Sequence, residues 1–103
     1  AKRVYEMTRR FPPDERFGLV AQMRRSAVSI PSNLAEGQAR HTTGEFVQFI
    51  SHSEGSLAEL ETQLRLSLEF GYCDAVETEG LLVFVEELRK MLNSLRRRLS
   101  DRR

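Results

Sequence analysis

Apolar residues return at alternating steps of three and four through most of this chain, and that period constrains its fold more than any other feature. Val20, Met23, Ala27, Ile30 and Leu34 form one such seam. Phe46, Ile50, Ser53, Leu57, Leu60, Leu64 and Ser67 form a second, and Leu81, Phe84, Leu88, Met91 and Leu95 a third. Val4, Met7 and Phe11 make a shorter stripe near the start. These steps place side chains on one face of an α-helix, whereas a strand needs a period of two, which no segment sustains. The expected fold is all-α, an antiparallel up-down four-helix bundle forming one domain over residues 1–103. Short connections make helices adjacent in sequence antiparallel in space.

Local signals set the expected boundaries. Pro12-Pro13 ends the first helix, since a residue before proline is pushed out of the α region. Pro13, Asp14 and Glu15 suit the first turn of the second helix, where acids complement the dipole. Pro31 cannot donate to the carbonyl of residue 27, so a kink or short break is expected there. Gly37 is a plausible stop. Thr42 with Glu45, and Asp74 with Glu77, have capping-box spacing and open the third and fourth helices. Gly71 closes the third. The terminal arginines are expected to fray into solvent. Ala1 already lies inside a helical pattern, so the N-terminal part of the first helix is expected to be missing.

Composition removes several function classes. The 103 residues allow one small core, and 40% apolar with 30% charged residues suits a folded domain. The longest unbroken apolar run, Leu81 to Val85, is five residues. A bilayer span needs about 20. No apolar leader segment is visible, which makes the cytoplasm the expected compartment and leaves no expected membrane partner. Cys73 stands alone, excluding an internal disulfide or a cysteine-based zinc site within one chain. His41 and His52 lack the spacing of a helical metal site, so neither metal nor cofactor is expected.

The formal net charge of +1 conceals an asymmetry. Residues 1–10 carry net +3, residues 11–41 net +1, residues 42–88 net −9 and residues 89–103 net +6. The apolar faces of the third and fourth helices are also wider than a two-helix seam requires. A monomer would leave part of them wet, so self-association is expected.

The residues Tyr5 to Pro12, Glu15, Phe17-Gly18-Leu19, Gln22 and the run Arg24 to Gly37 form a distinctive pattern. It continues through Arg40, Glu45-Phe46, Phe49, Gly55-Ser56, Glu59-Leu60-Glu61 and Gly71-Tyr72. The pattern closely resembles four-helix-bundle proteins encoded in intervening sequences of bacterial large-subunit ribosomal RNA genes, a family sometimes labelled ribosomal. It is also similar to the accessory variability protein of diversity-generating retroelements. The resemblance implies a ring-like homopentamer and a nucleic-acid-related role without known catalysis. It also implies basic surface that contacts RNA or DNA and, in the retroelement relatives, a reverse-transcriptase partner. Such proteins usually have roughly one or two more helical turns upstream.

Individual residues keep two readings each. Arg24 and Arg25, with Ser29, Ser32 and Asn33, could contact phosphate near Pro31; alternatively Arg25, opposite Gly55, pairs with Glu54 or Glu59. Arg24 points about 100° away and is the better candidate for exposure. Asn33 and Glu36, before Gly37, either satisfy backbone and arginine groups or mark a site, but no histidine, serine or cysteine partner makes Glu36 a general base. Gly55 costs about 1 kcal/mol of helix propensity, which close helix approach or a pocket would offset. Arg89, Lys90, Arg96, Arg97, Arg98, Arg102 and Arg103 form the strongest functional signal, joined by Arg24 and Arg40 as candidate phosphate contacts. The competing reading pairs them with acidic helices. The expected function is a non-enzymatic oligomeric bundle that binds nucleic acid through basic surface, as an accessory to a processing partner. The alternative is a purely structural assembly module.

Overall fold

The computed structural model describes residues 1–101 and is all-helical over its regular elements. Four α-helices follow in order: α1 (Lys2–Thr8), α2 (Leu19–Gln38), α3 (Thr43–Glu69) and α4 (Ala75–Asp101), with a 3-10 turn at Pro13–Glu15 before α2. The helices form an antiparallel bundle of three long members and one short one, 46 × 24 × 17 Å overall. α3 is central: α2 packs along one side of it and α4 along another, while α1 lies against α2.

The seams of α2 and α3 become the core, whereas that of α4 is out of phase: Leu81 is buried, Phe84 and Met91 are exposed, and Val85, Leu92 and Leu99 fill the core in their place. Met23, Ile50, Leu57, Leu64 and Leu92 are at most 1% exposed. Val4, Met7, Phe11, Val20, Ala27, Ile30, Leu60, Leu81, Val85 and Leu99 belong to the same cluster. The wet apolar surface expected of this pattern is present as well: Val76, Val83, Phe84 and Met91 on α4 and Leu66 and Leu68 on α3 are exposed.

The capping signals hold. Thr42 accepts the Glu45 backbone N–H at 3.1 Å, and Asp74 accepts that of Glu77 at 2.7 Å. Gly71 adopts φ +79°, the left-handed conformation that glycine tolerates, and the Tyr72 N–H then returns to the Ser67 carbonyl at 2.9 Å.

Other expectations require correction. α2 starts at Leu19, because Phe17 and Gly18 separate it from the Pro13–Glu15 turn. Glu15 still serves α2, its carboxylate accepting the Leu19 N–H at 3.4 Å. α2 runs unbroken through Pro31, whose ring sits on the exposed side. The Ser53 hydroxyl donates to the Ile30 carbonyl at 2.9 Å, tying this stretch of α2 to α3. α2 does not stop at Gly37, which is buried in its last turn. Arg96, Arg97 and Arg98 do not fray: α4 is helical to Asp101. Arg102 and Arg103 lie outside the described residues.

Gly37, and not Gly55, marks the close approach of two helices. A Cβ on Gly37 would meet Phe49 Cβ at 2.8 Å and Phe46 Cδ1 at 2.9 Å, so this is where α2 and α3 approach most tightly at a glycine. Gly55, expected at a close approach, is exposed and has nothing within 4 Å of a Cβ built on it.

Candidate nucleic-acid interface

The antiparallel arrangement gathers basic residues at one end of the bundle. The α2–α3 connection, residues 39–42, lies there. The last turns of α4 run beside the start of α3, as the contact of Arg96 with Ser51 and Glu54 demonstrates. Arg97 and Arg98 towards this end, and Lys90 near the middle of α4, are exposed and form no ion pair among the described residues. Arg40 and His41 are exposed at the same end. The opposite end holds Asp14, Glu69, Asp74 and Glu79 together with Arg9, Arg10 and Arg16, and Arg10 pairs with Glu77 there.

Other candidate cations are already engaged. Arg89 pairs with Glu61 on α3 and with Glu86 on its own helix. Arg96 pairs with Glu54. Glu54 and Glu61 are seven residues apart, as are Arg89 and Arg96, so the two interhelical pairs form rungs of one heptad-spaced ladder. The Arg89 and Arg65 guanidiniums hold the Glu61 carboxyl below its ordinary value, and the Glu61 carboxylate raises Arg89 in turn. The ladder was readable as matched heptads of opposite charge on neighbouring helices, a signal that counting charge by segment overlooks.

Arg40 forms an ion pair with Glu36 at 2.7 Å and lies 4.7 Å over the Phe49 ring. Glu36 therefore serves its neighbouring arginine. Asn33 donates to the Ser29 carbonyl at 2.8 Å and to the Ser29 hydroxyl at 2.9 Å, a local structural role.

The order of Arg24 and Arg25 reverses the expectation. Arg24 is half-buried, its guanidinium 4.6 Å over the Tyr5 ring and its Nε donating to Thr8 Oγ1 at 3.0 Å. Docking of α1 on that side of α2 covers it. Arg25 is exposed and pairs with neither Glu54 nor Glu59 within the chain.

A family model described as 23S rRNA-intervening sequence protein matches residues 1–94. The chain belongs to this family. No curated protein matches the chain. The match to the 23S rRNA-intervening sequence protein family covers all of α1, α2 and α3 and most of α4, ending just before Arg96. The intervening-sequence fold thus includes Arg89 and Lys90, while the Arg96–Arg98 run lies past the matched span. No helix among the described residues is long and apolar enough to cross a membrane.

Proposed function

We propose that this protein is a non-enzymatic, homo-oligomeric bundle that holds nucleic-acid phosphates through basic surface, as an accessory to a nucleic-acid-processing partner in the cytoplasm. One observation carries the reading: among the described residues Arg97 and Arg98 are exposed and unpaired towards the end that carries Arg40 and His41, and Lys90 is unpaired one heptad before Arg97 on the same face of α4, while Arg89 and Arg96 are spent on the ladder to α3. Unpaired, exposed cations release counterions from nucleic acid; paired ones contribute little. Exposed Val83, Phe84 and Met91 support association of copies. A ring, the pentamer that the family resemblance suggests, would repeat this basic surface once per subunit. No aromatic residue stands between Lys90 and Asp101, and the Phe49 ring is covered by the Arg40 guanidinium, so contact is to the backbone and insensitive to sequence.

The structural-assembly alternative is favoured by Arg89 and Arg96, whose charge is neutralised within the chain. Anisotropy of labelled RNA and duplex DNA over a salt series separates the two. Binding is expected to weaken with salt, and the K90A/R97A/R98A variant to flatten the log–log slope by up to about 3 for each subunit engaged on DNA. Absence of binding at low salt, or an unchanged slope in the variant, overturns the nucleic-acid reading and leaves the assembly module.

A further inference from the structure

The outer face of α2 and α3 carries a polar cleft that the free cations of α4 do not reach. It encloses about 320 Å³, with Arg25 and Ser29 on the α2 wall and Ser56, Glu59 and Gln63 on the α3 wall. Small-molecule sites span about 300–1,000 Å³, so the cleft suits a small ligand. The Ser56 hydroxyl donates to that of Ser29 at 2.9 Å and fixes the register of the two walls. Antiparallel counting from that bond sets Arg25 across from Glu59, about 6 Å further along the cleft.

The two walls offer opposite chemistry. On α2, Arg25 is exposed and forms no ion pair among the described residues. Ser29 Oγ accepts from Ser56 and also from Asn33 Nδ2, each at 2.9 Å. Both of its lone pairs are filled, which leaves its own proton to donate. The α2 wall is therefore a donor surface that wants an anionic oxygen. On α3, Glu59 is exposed and forms no ion pair among the described residues either. Beside it Gln63 is 7% exposed, and its Oε1 has no hydrogen-bond partner. A buried amide oxygen without a donor is costly, so the α3 wall is short of donors.

This arrangement selects against simple ions. An anion drawn to Arg25 is repelled by Glu59, and a cation drawn to Glu59 is repelled by Arg25. A molecule with both charges on neighbouring atoms satisfies the two walls together. At the level of Ser29 and Ser56 the cleft opens into a second hollow, lined by Asn33, His52 and Gly55. Gly55 has open space where a side chain would go. The hollow gives room to the uncharged remainder of a ligand, and its lining suits a polar one.

We propose that this cleft binds a free α-amino acid with a polar side chain. Its carboxylate takes Arg25 and the Ser29 hydroxyl, its ammonium takes Glu59, and its side chain enters the hollow at Gly55. The site stands apart from the phosphate-binding surface and does not depend on it.

Isothermal titration calorimetry with each L-amino acid in turn, up to about 10 mM, tests the proposal. At least one polar amino acid is expected to bind and to raise the melting temperature. Amidating its carboxylate or acetylating its amine is expected to weaken binding roughly tenfold or more. In R25A the acid and its amide should bind alike, and in E59Q the amine and its N-acetyl derivative should bind alike. Each variant thus loses one discrimination and keeps the other, which a general loss of structure does not produce. Far-ultraviolet circular dichroism checks that both are folded. Inorganic phosphate and putrescine, with one kind of charge each, are expected to bind more weakly than the amino acid. Three results overturn the proposal: no amino acid binds, phosphate or putrescine binds as tightly, or R25A and E59Q keep the wild-type discrimination. None of the three bears on nucleic-acid binding, which the salt series measures separately.

Discussion

Replacing Gly37 by alanine should destabilise the protein, although the same change inside a helix ordinarily stabilises. Alanine gains about 1 kcal/mol of helix propensity over glycine. At Gly37 the new Cβ would stand 2.8 Å from Phe49 Cβ and 2.9 Å from Phe46 Cδ1. Carbon atoms at rest lie about 3.5–4.0 Å apart, so α2 and α3 would have to separate by roughly 1 Å. Phe49 Cβ is fixed to the α3 backbone and cannot rotate away. Overpacking of this kind costs about 1–3 kcal/mol, and two simultaneous contacts put the cost near 3. After the propensity gain, G37A should lose about 2 kcal/mol.

Gly55 supplies the matched control. Its Cβ would meet nothing within 4 Å, so G55A should gain about 1 kcal/mol. One chemical change at two helix positions should therefore differ in effect by about 3 kcal/mol, with opposite signs. In thermal unfolding followed at 222 nm, G37A should melt about 10 °C below the wild type and G55A about 5 °C above it. Urea midpoints should move in the same directions. Protein concentration must be held fixed, because association raises apparent stability. A G37A variant as stable as the wild type would refute the close approach of α2 to Phe46 and Phe49.

Three further outcomes follow from the core and the ladder. L92A removes a side chain 1% exposed and should cost about 2–5 kcal/mol, read as a drop in urea midpoint. R96A breaks a half-buried pair with Glu54 and should cost about 1 kcal/mol or less while leaving RNA binding unchanged, since Arg96 is not among the free cations. Glu61 is held below its ordinary value of 4.5, chiefly by its hydrogen bond from Arg89, so its contribution is present above that value and is lost as pH falls through the lower folded value. The wild-type urea midpoint should therefore fall on acidification below about pH 4.5, and E61Q should flatten that part of the profile.

The parts of the fold legible in the sequence are those decided locally. The caps at Thr42 and Asp74 depend on residues three positions away, and both formed. Gly71 ends α3 because only its own backbone must turn left-handed. The apolar period placed Met23, Ile50, Leu57 and Leu64 in the core because burial follows helix phase directly. The parts not legible depend on what stands across the gap. Gly37 and Gly55 are both helical glycines, and only the position of Phe46 and Phe49 makes one a contact and the other a hollow. Arg24 and Arg25 differ by one step of helix rotation, and which of them is covered was settled by where α1 docks, through Tyr5 and Thr8.

The same dependence governs the candidate interface. Net charge along the sequence put Arg89 to Arg98 in one basic block, but a block has no meaning on a helix whose faces point different ways. Arg89 and Arg96, one heptad apart, share the face turned to α3 and meet Glu61 and Glu54 there. Lys90 and Arg97, one heptad apart on the next phase, face solvent. The acidic middle of the chain therefore subtracts from the basic terminus selectively, by phase, and what is left over lies along the solvent-facing side of α4. A protein of nearly zero net charge can in this way keep individual cations exposed to solvent while its remaining arginines hold two helices in register.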